Sequence, residues 1–145
     1  MKVAIGSDHR GIEQRNVAAQ SIEAAGFQVL DKGTFSTESC DYPDIAAEVA
    51  GSVSAGDADR GVLFCGTGIG VSLAANKFPR VLAAVCHDER TTRLSRQHNN
   101  ANVLCLPADT LAMEEIGNLI KMWLAEPFEG GRHARRVEKI INLEK

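Results

Sequence analysis

Apolar positions in this chain gather into five short continuous runs, at residues 2–6 (KVAIG), 27–31 (FQVLD), 61–65 (GVLFC), 81–86 (VLAAVC) and 102–106 (NVLCL). Runs of this length, without apolar–polar alternation, predict strands covered on both faces. Between them lie stretches with helical spacing. These are residues 12–25, stopped by Gly26, residues 42–55, stopped by Gly56, residues 69–77, ahead of Pro79, the polar residues 88–98, and residues 110–124, which include Trp123. A basic stretch, residues 131–143, predicts a last helix, and residues 32–41 are polar, aperiodic and read as a loop. Strand and helix therefore alternate along a single domain, residues 1–145, with no internal repeat or linker. The prediction is an α/β fold: a Rossmann-like, doubly wound three-layer α/β/α arrangement on a five-stranded parallel sheet. Ligands of such sheets bind beyond the carboxyl ends of the strands. That places residues 7–9, the loop up to Tyr42, residues 65–70, residues 86–88 and the segment after Leu106 at the ligand edge.

Composition narrows the classes. Hydrophobic residues make up 44% and charged residues 24%, an ordinary globular balance. A formal net charge of -3 argues against a general nucleic-acid binder. The apolar runs are too short to cross a membrane, and MKVAIGSDH lacks an apolar signal stretch, so a cytoplasmic protein is expected. The four cysteines, Cys40, Cys65, Cys86 and Cys105, form no CxxC pair and are expected to be free thiols. No two of His9, His87, His98 and His133 have HxxxH spacing, so no metal is expected.

The stretch FCGTGIG, residues 64–70, carries the densest chemistry. Glycines let backbone N–H groups turn toward an anion, and the next helix adds its positive end. Gly66, Gly68 and Gly70 with Thr67 thus suit a phosphate, a carboxylate or an enolate oxygen, or form a tight strand-to-helix turn. The string follows the third strand and lacks the spacing of a dinucleotide fingerprint. Cys65 stands at a strand end just before a helix, a setting that activates a thiol as nucleophile, redox centre or base. Position alone also allows a core cysteine, as for Cys86 and Cys105. His9 sits beside Asp8 after the first strand and can bind an anion or cap a helix. His98 is followed by Asn99 and Asn100 at a helix end, where the plain reading is backbone satisfaction. Arg132 and Arg136 share one helical face, which is either a solvated basic face or two forks converging on a phosphate.

VAIGSDHRG, DKGT, DYPD, GVLFCGTGIGVSLAANK, SRQHNNANVL and EGGRHARRVE occur in that order over nearly the whole chain. In that combination the sequence resembles the ribose-5-phosphate isomerase B family, which includes the galactose-6-phosphate isomerase subunits. The resemblance implies an aldose–ketose isomerase for a phosphorylated sugar, with no metal and no nucleotide cofactor. It implies homodimers or homotetramers with active sites at the subunit interface, and a C-terminal helix used in dimerisation. It assigns Cys65 as the base that moves a proton between C1 and C2 through an enediolate. Thr67 and the glycine amides would hold the oxyanion, and His98 would open the sugar ring. By the same resemblance Asp8, Tyr42 and Asn99 bind sugar hydroxyls, and His9, Arg132 and Arg136 bind phosphate. Having both Cys65 and His98 favours ribose 5-phosphate and ribulose 5-phosphate as the pair interconverted.

The chain also departs from the family pattern. Asp109 lies where many members carry an arginine, and an acid there would repel a phosphate. Leu82 replaces a usual Ile-Arg, with Arg80 two residues earlier, and Arg90 and Arg93 are nearby candidates for the missing positive charge. These departures keep open the same chemistry on another phosphosugar, a tetrose phosphate such as erythrulose 4-phosphate or a hexose 6-phosphate such as allose or galactose 6-phosphate. Two other classes are a thiol sensor that binds a phosphorylated metabolite without turnover and a non-catalytic binding domain.

Overall fold

Each of the five apolar runs forms a strand, and each strand is followed by a helix. The structure, a computed structural model, describes residues 1–144. In chain order the elements are β1 (Lys2–Ser7), α1 (Ile12–Ala24), β2 (Gln28–Asp31), α2 (Tyr42–Ala55), β3 (Arg60–Cys65), α3 (Ile69–Ala75), β4 (Ala83–Val85), α4 (Glu89–Gln97), β5 (Val103–Pro107), α5 (Met113–Ala125) and α6 (Arg132–Ile141). All pairings are parallel, and the strand order is β2-β1-β3-β5-β4. The chain thus passes beyond β5's place to lay down β4 at the edge, then returns to fill the gap.

Alternate residues of each strand feed opposite cores, as the two-residue period of a strand requires. Val3, Ile5, Val62, Phe64, Leu104 and Leu106 face one layer, with Ala18 and Ile22 of α1 and Ile116, Ile120 and Trp123 of α5. Ala4, Leu63, Cys65, Val103 and Cys105 face the other, with Ala46 and Val49 of α2 and Val71 and Ala75 of α3. Cys65 therefore points to the α2–α3 side.

The fourth strand is shorter than predicted. Residues 81–86 read as one run, but only Ala83–Val85 are extended. Leu82 N–H is taken by the Asn102 side chain at 2.8 Å, and Arg80 has a φ of 61°. On the outer side of β4, Asn76 uses both ends of its amide on Ala83: Oδ1 accepts from the N–H at 2.8 Å and Nδ2 donates to the carbonyl at 3.0 Å. One side chain thus caps an edge that would otherwise offer unpaired backbone groups.

Candidate active site

β1 and β3 are neighbours whose connections depart to opposite sides of the sheet. A cleft opens at such a switch point. Asp8 is buried there, and its Oδ1 accepts the Arg10 N–H at 3.0 Å. The ring of His9 turns to the loop after β2, where Cys40 N–H donates to Nδ1 at 3.2 Å and Cys40 Sγ lies at 3.9 Å. With Nδ1 accepting, the ring proton resides on Nε2, a donor available to an anion. Cys40 was not singled out in the sequence, because nothing local ties it to a histidine 31 residues away.

Cys65 ends β3 and is 5% exposed. The Gly68 N–H donates to its Sγ at 3.2 Å. Thr67 is exposed, and its Oγ1 accepts the Ile69 N–H at 3.2 Å, which leaves the hydroxyl proton free. The glycines have separate reasons. Gly68 has a φ of 76°, and a Cβ there would lie 3.2 Å from the Leu106 carbonyl carbon. A Cβ on Gly70 would lie 2.5 Å from Cε1 of Tyr42, whose ring covers it. A Cβ on Gly66 would meet Arg10 Nη1 and Asp109 Oδ2, each at 2.8 Å. Asp8, His9, Tyr42, Cys65, Gly66, Thr67, Gly68 and Gly70 thus assemble around one strand edge.

Asp109 is not a bare negative charge. Its carboxylate is paired with Arg10 directly over Gly66. Neither Arg90 nor Arg93 answers it: both are on α4, beyond the edge strand, and Arg93 pairs with Glu126 at 3.5 Å. The segment 86–88 also stays apart. Cys86 is in the core, Asp88 caps α4 by accepting the Thr91 N–H at 2.8 Å, and His87 is exposed. Burial pushes the thiols of Cys86 and Cys105 up from their ordinary values and keeps them neutral.

His98, Asn99, Arg132 and Arg136 lie elsewhere. α4 runs back along the sheet, so its last residues meet the start of β5, opposite the edge where Cys65 sits. Gly61 pairs with Val103 and Cys65 with Pro107, so the length of β3, about 13 Å, separates the two ends. The rings of His98 and His133 stack with centroids 4.1 Å apart and planes 8° apart. Each Nε2 is 3.7 Å from Glu129 Oε1. Burial, then the neighbouring His98 and Arg132, hold His133 below the ordinary imidazole value, with Glu129 opposing them. Arg132 and Arg136 are exposed one turn apart on α6, and Asn99 is exposed beside the helix end.

The donor atoms of His98, Glu129 and His133 lie within 4.8 Å of one another. A metal at about 2 Å must lie near the plane of each imidazole that binds it. Two stacked, nearly parallel rings cannot share one ion without turning.

Residues 3–140 match the family model described as Ribose/Galactose Isomerase. The chain is 43% identical over 143 residues to ribose-5-phosphate isomerase B of Escherichia coli K12, covering 99% of this chain and 96% of that one. Among solved structures, ribose-5-phosphate isomerase B of Clostridium thermocellum superposes with a TM-score of 0.96 at 44% identity, over 99% of this chain and 97% of that one. The Mycoplasma genitalium enzyme with bound ribulose-5-phosphate gives a TM-score of 0.94 at 42% identity, over 98% and 95% of the two chains. On the family match and this near-complete coverage, the chain belongs to the ribose/galactose isomerase family.

Proposed function

We propose that this protein is an aldose–ketose isomerase that interconverts D-ribose 5-phosphate and D-ribulose 5-phosphate, with Cys65 as the base. The observation that carries the reading is the place of Cys65: its sulfur ends β3 at the β1–β3 switch point, against the amide of Gly68. Family membership and the ribulose-5-phosphate held by the Mycoplasma genitalium relative support the substrate.

The step is a proton transfer without net redox change. The Cys65 thiolate removes the proton on C2 of the open-chain aldose. The C–H electron pair becomes the C1–C2 double bond, and the aldehyde oxygen takes the charge. The Thr67 hydroxyl and the amides of the 66–70 loop stabilise that oxygen. The thiol then returns the proton to C1 while the hydroxyl proton of O2 passes to O1, so that O2 becomes the ketone and O1 the hydroxyl of the ketose. Asp8, Tyr42 and Asn99 hold sugar hydroxyls, while His9, Arg132 and Arg136 hold phosphate.

His98 opens the ring, and the opposite-edge placement of His98 and Cys65 supports a site shared by two copies. His98, Asn99, Arg132 and Arg136 of a second copy complete the half built on Cys65, with α6 as a dimerising helix. Ile69 and Leu73, exposed on α3 beside the glycine loop, give that face the apolar character a subunit contact needs. Free thiols agree with a cytoplasmic setting, and no helix among the described residues is long and apolar enough to cross a membrane.

The test is incubation with ribose 5-phosphate in deuterated water, followed by NMR. Wild type is expected to form ketose with solvent deuterium on carbon. Cys65→Ala is expected to fold and to lose about 10²–10⁴ of the rate. No turnover of ribose 5-phosphate, with activity on a tetrose or hexose phosphate, would overturn the substrate and keep the chemistry.

A further inference from the structure

Arg10 and Asp109 meet across 99 residues of sequence, directly over the residue that follows the proposed base. The backbone under both is fixed. Arg10 N–H is held by Asp8 Oδ1, and a Cβ on the next residue, Gly11, would lie 2.9 Å from Phe64 Cβ, so that turn is packed hard on β3. Asp109 N–H donates to the Gly66 carbonyl at 3.1 Å, and Ala108 N–H to the Cys65 carbonyl at 2.9 Å. Above this rigid base the two side chains are open, 54% and 39% exposed.

The guanidinium has donors to spare. Nη2 is bonded to Asp109, while Nη1 and Nε have no partner among the described residues. The next arginine along the chain is committed elsewhere. Arg15 is buried, donates to the Thr34 carbonyl and forms an ion pair with Asp31 at 3.3 Å. Arg10 is the only arginine in the loops that follow β1, β2, β3 and β5. Two acids, Asp8 and Asp109, stand in the same place, so a dianion approaching Cys65 on this side meets repulsion unless a cation offsets it.

We propose that Arg10 is a specificity-determining substrate contact, held ready over Gly66 by Asp109, whose free guanidinium edge takes the phosphate of the sugar. A planar fork already oriented on one side loses little freedom when it binds phosphoryl oxygens on the other. Asp109 is then a positioning residue, and the chain carries its positive charge on the β1 loop rather than at position 109. This inference rests on the isomerase reading for its substrate, but its ligand, a phosphate, can be tested without turnover.

The experiment compares wild type, Arg10→Met, Arg10→Lys and Asp109→Asn in two measurements. One is kcat and KM for ribose 5-phosphate. The other is calorimetric titration with inorganic phosphate. Arg10→Met is expected to raise KM and the phosphate dissociation constant about 10- to 100-fold, with kcat changed less than about threefold. Arg10→Lys, which keeps the charge without the fork, is expected to fall between. Asp109→Asn keeps an acceptor for the guanidinium and removes a competing anion, so the weaker hold on Arg10 and the lost repulsion offset each other and phosphate binding is expected within about threefold of wild type. If Arg10→Met leaves phosphate binding within about twofold, or if Asp109→Asn weakens it as much as Arg10→Met, the pair is a brace for the loop and the proposal is wrong. A wild type that binds phosphate but does not isomerise ribose 5-phosphate would overturn the substrate alone.

Discussion

Gly68 and Gly70 are two residues apart, yet they are glycine for different reasons, and the difference can be measured. Gly68 needs its left-handed backbone, so Gly68→Ala is expected to cost about 1–2 kcal/mol from conformation alone. Crowding against the Leu106 carbonyl carbon adds to that. Gly70 is inside α3 with ordinary helical backbone, where alanine gains about 1 kcal/mol of helix propensity. What alanine disturbs there is the ring of Tyr42, which is half-exposed and can swing away. Gly70→Ala should therefore keep its unfolding midpoint while KM rises, and Gly68→Ala should lose stability in urea titration. At the other edge, His133 is held neutral by the fold. Its proton affinity is lower folded than unfolded, so its contribution to stability is complete above about pH 6.5 and is lost as pH falls through the lower folded value. The groups facing it are His98, Glu129, Arg132 and Arg136. Denaturation at pH 7 and pH 5 should show a smaller acid loss in His133→Asn than in wild type.

Asn76 shows how an element's edge can depend on one residue. Its amide replaces the missing neighbour of β4 by satisfying both backbone groups of Ala83. Asn76→Ala leaves a donor and an acceptor on a three-residue strand, and is expected to cost about 1–3 kcal/mol and to promote self-association, checked by thermal denaturation and light scattering. In the sequence, Asn76 was only part of the string AANK. Existence and kind of every element were legible, because buried parallel strands leave continuous apolar runs, helical spacing fills the stretches between them, and the first two helices stop at Gly26 and Gly56. The order of strands was not, since periodicity says nothing about which neighbour a strand chooses; β5 lies between β3 and β4. The same limit applies to the site. Cys65 and its glycines are consecutive, so local pattern exposed them. The Arg10–Asp109 and His9–Cys40 contacts join distant loops, and no local signal marks them.

At the scale of the whole molecule, the strand edges impose a condition on assembly. A sheet with helices returning along it places the end of α4 at the amino edge and the end of β3 at the carboxyl edge, so no side-chain rotation brings His98 of a chain to its own Cys65. If both act on one sugar, two chains must supply them, and a two-fold pair supplies them twice. Mixing inactive variants decides this. In such a two-fold pair, Cys65→Ala chains would lack the proposed base in both sites, and His98→Asn chains would lack the proposed ring-opening group in both. A hybrid has one site with both defects and one with Cys65 and His98 intact. After unfolding and refolding an equal mixture, half the dimers are hybrids with one good site of two, so about a quarter of wild-type activity is expected. Activity no greater than the mean of the two variants, with hybrids verified by mass, would mean that the two residues do not meet across an interface. Recovery near a quarter would tie catalysis to assembly, and dilution below the dimer dissociation constant should then abolish turnover while each chain stays folded.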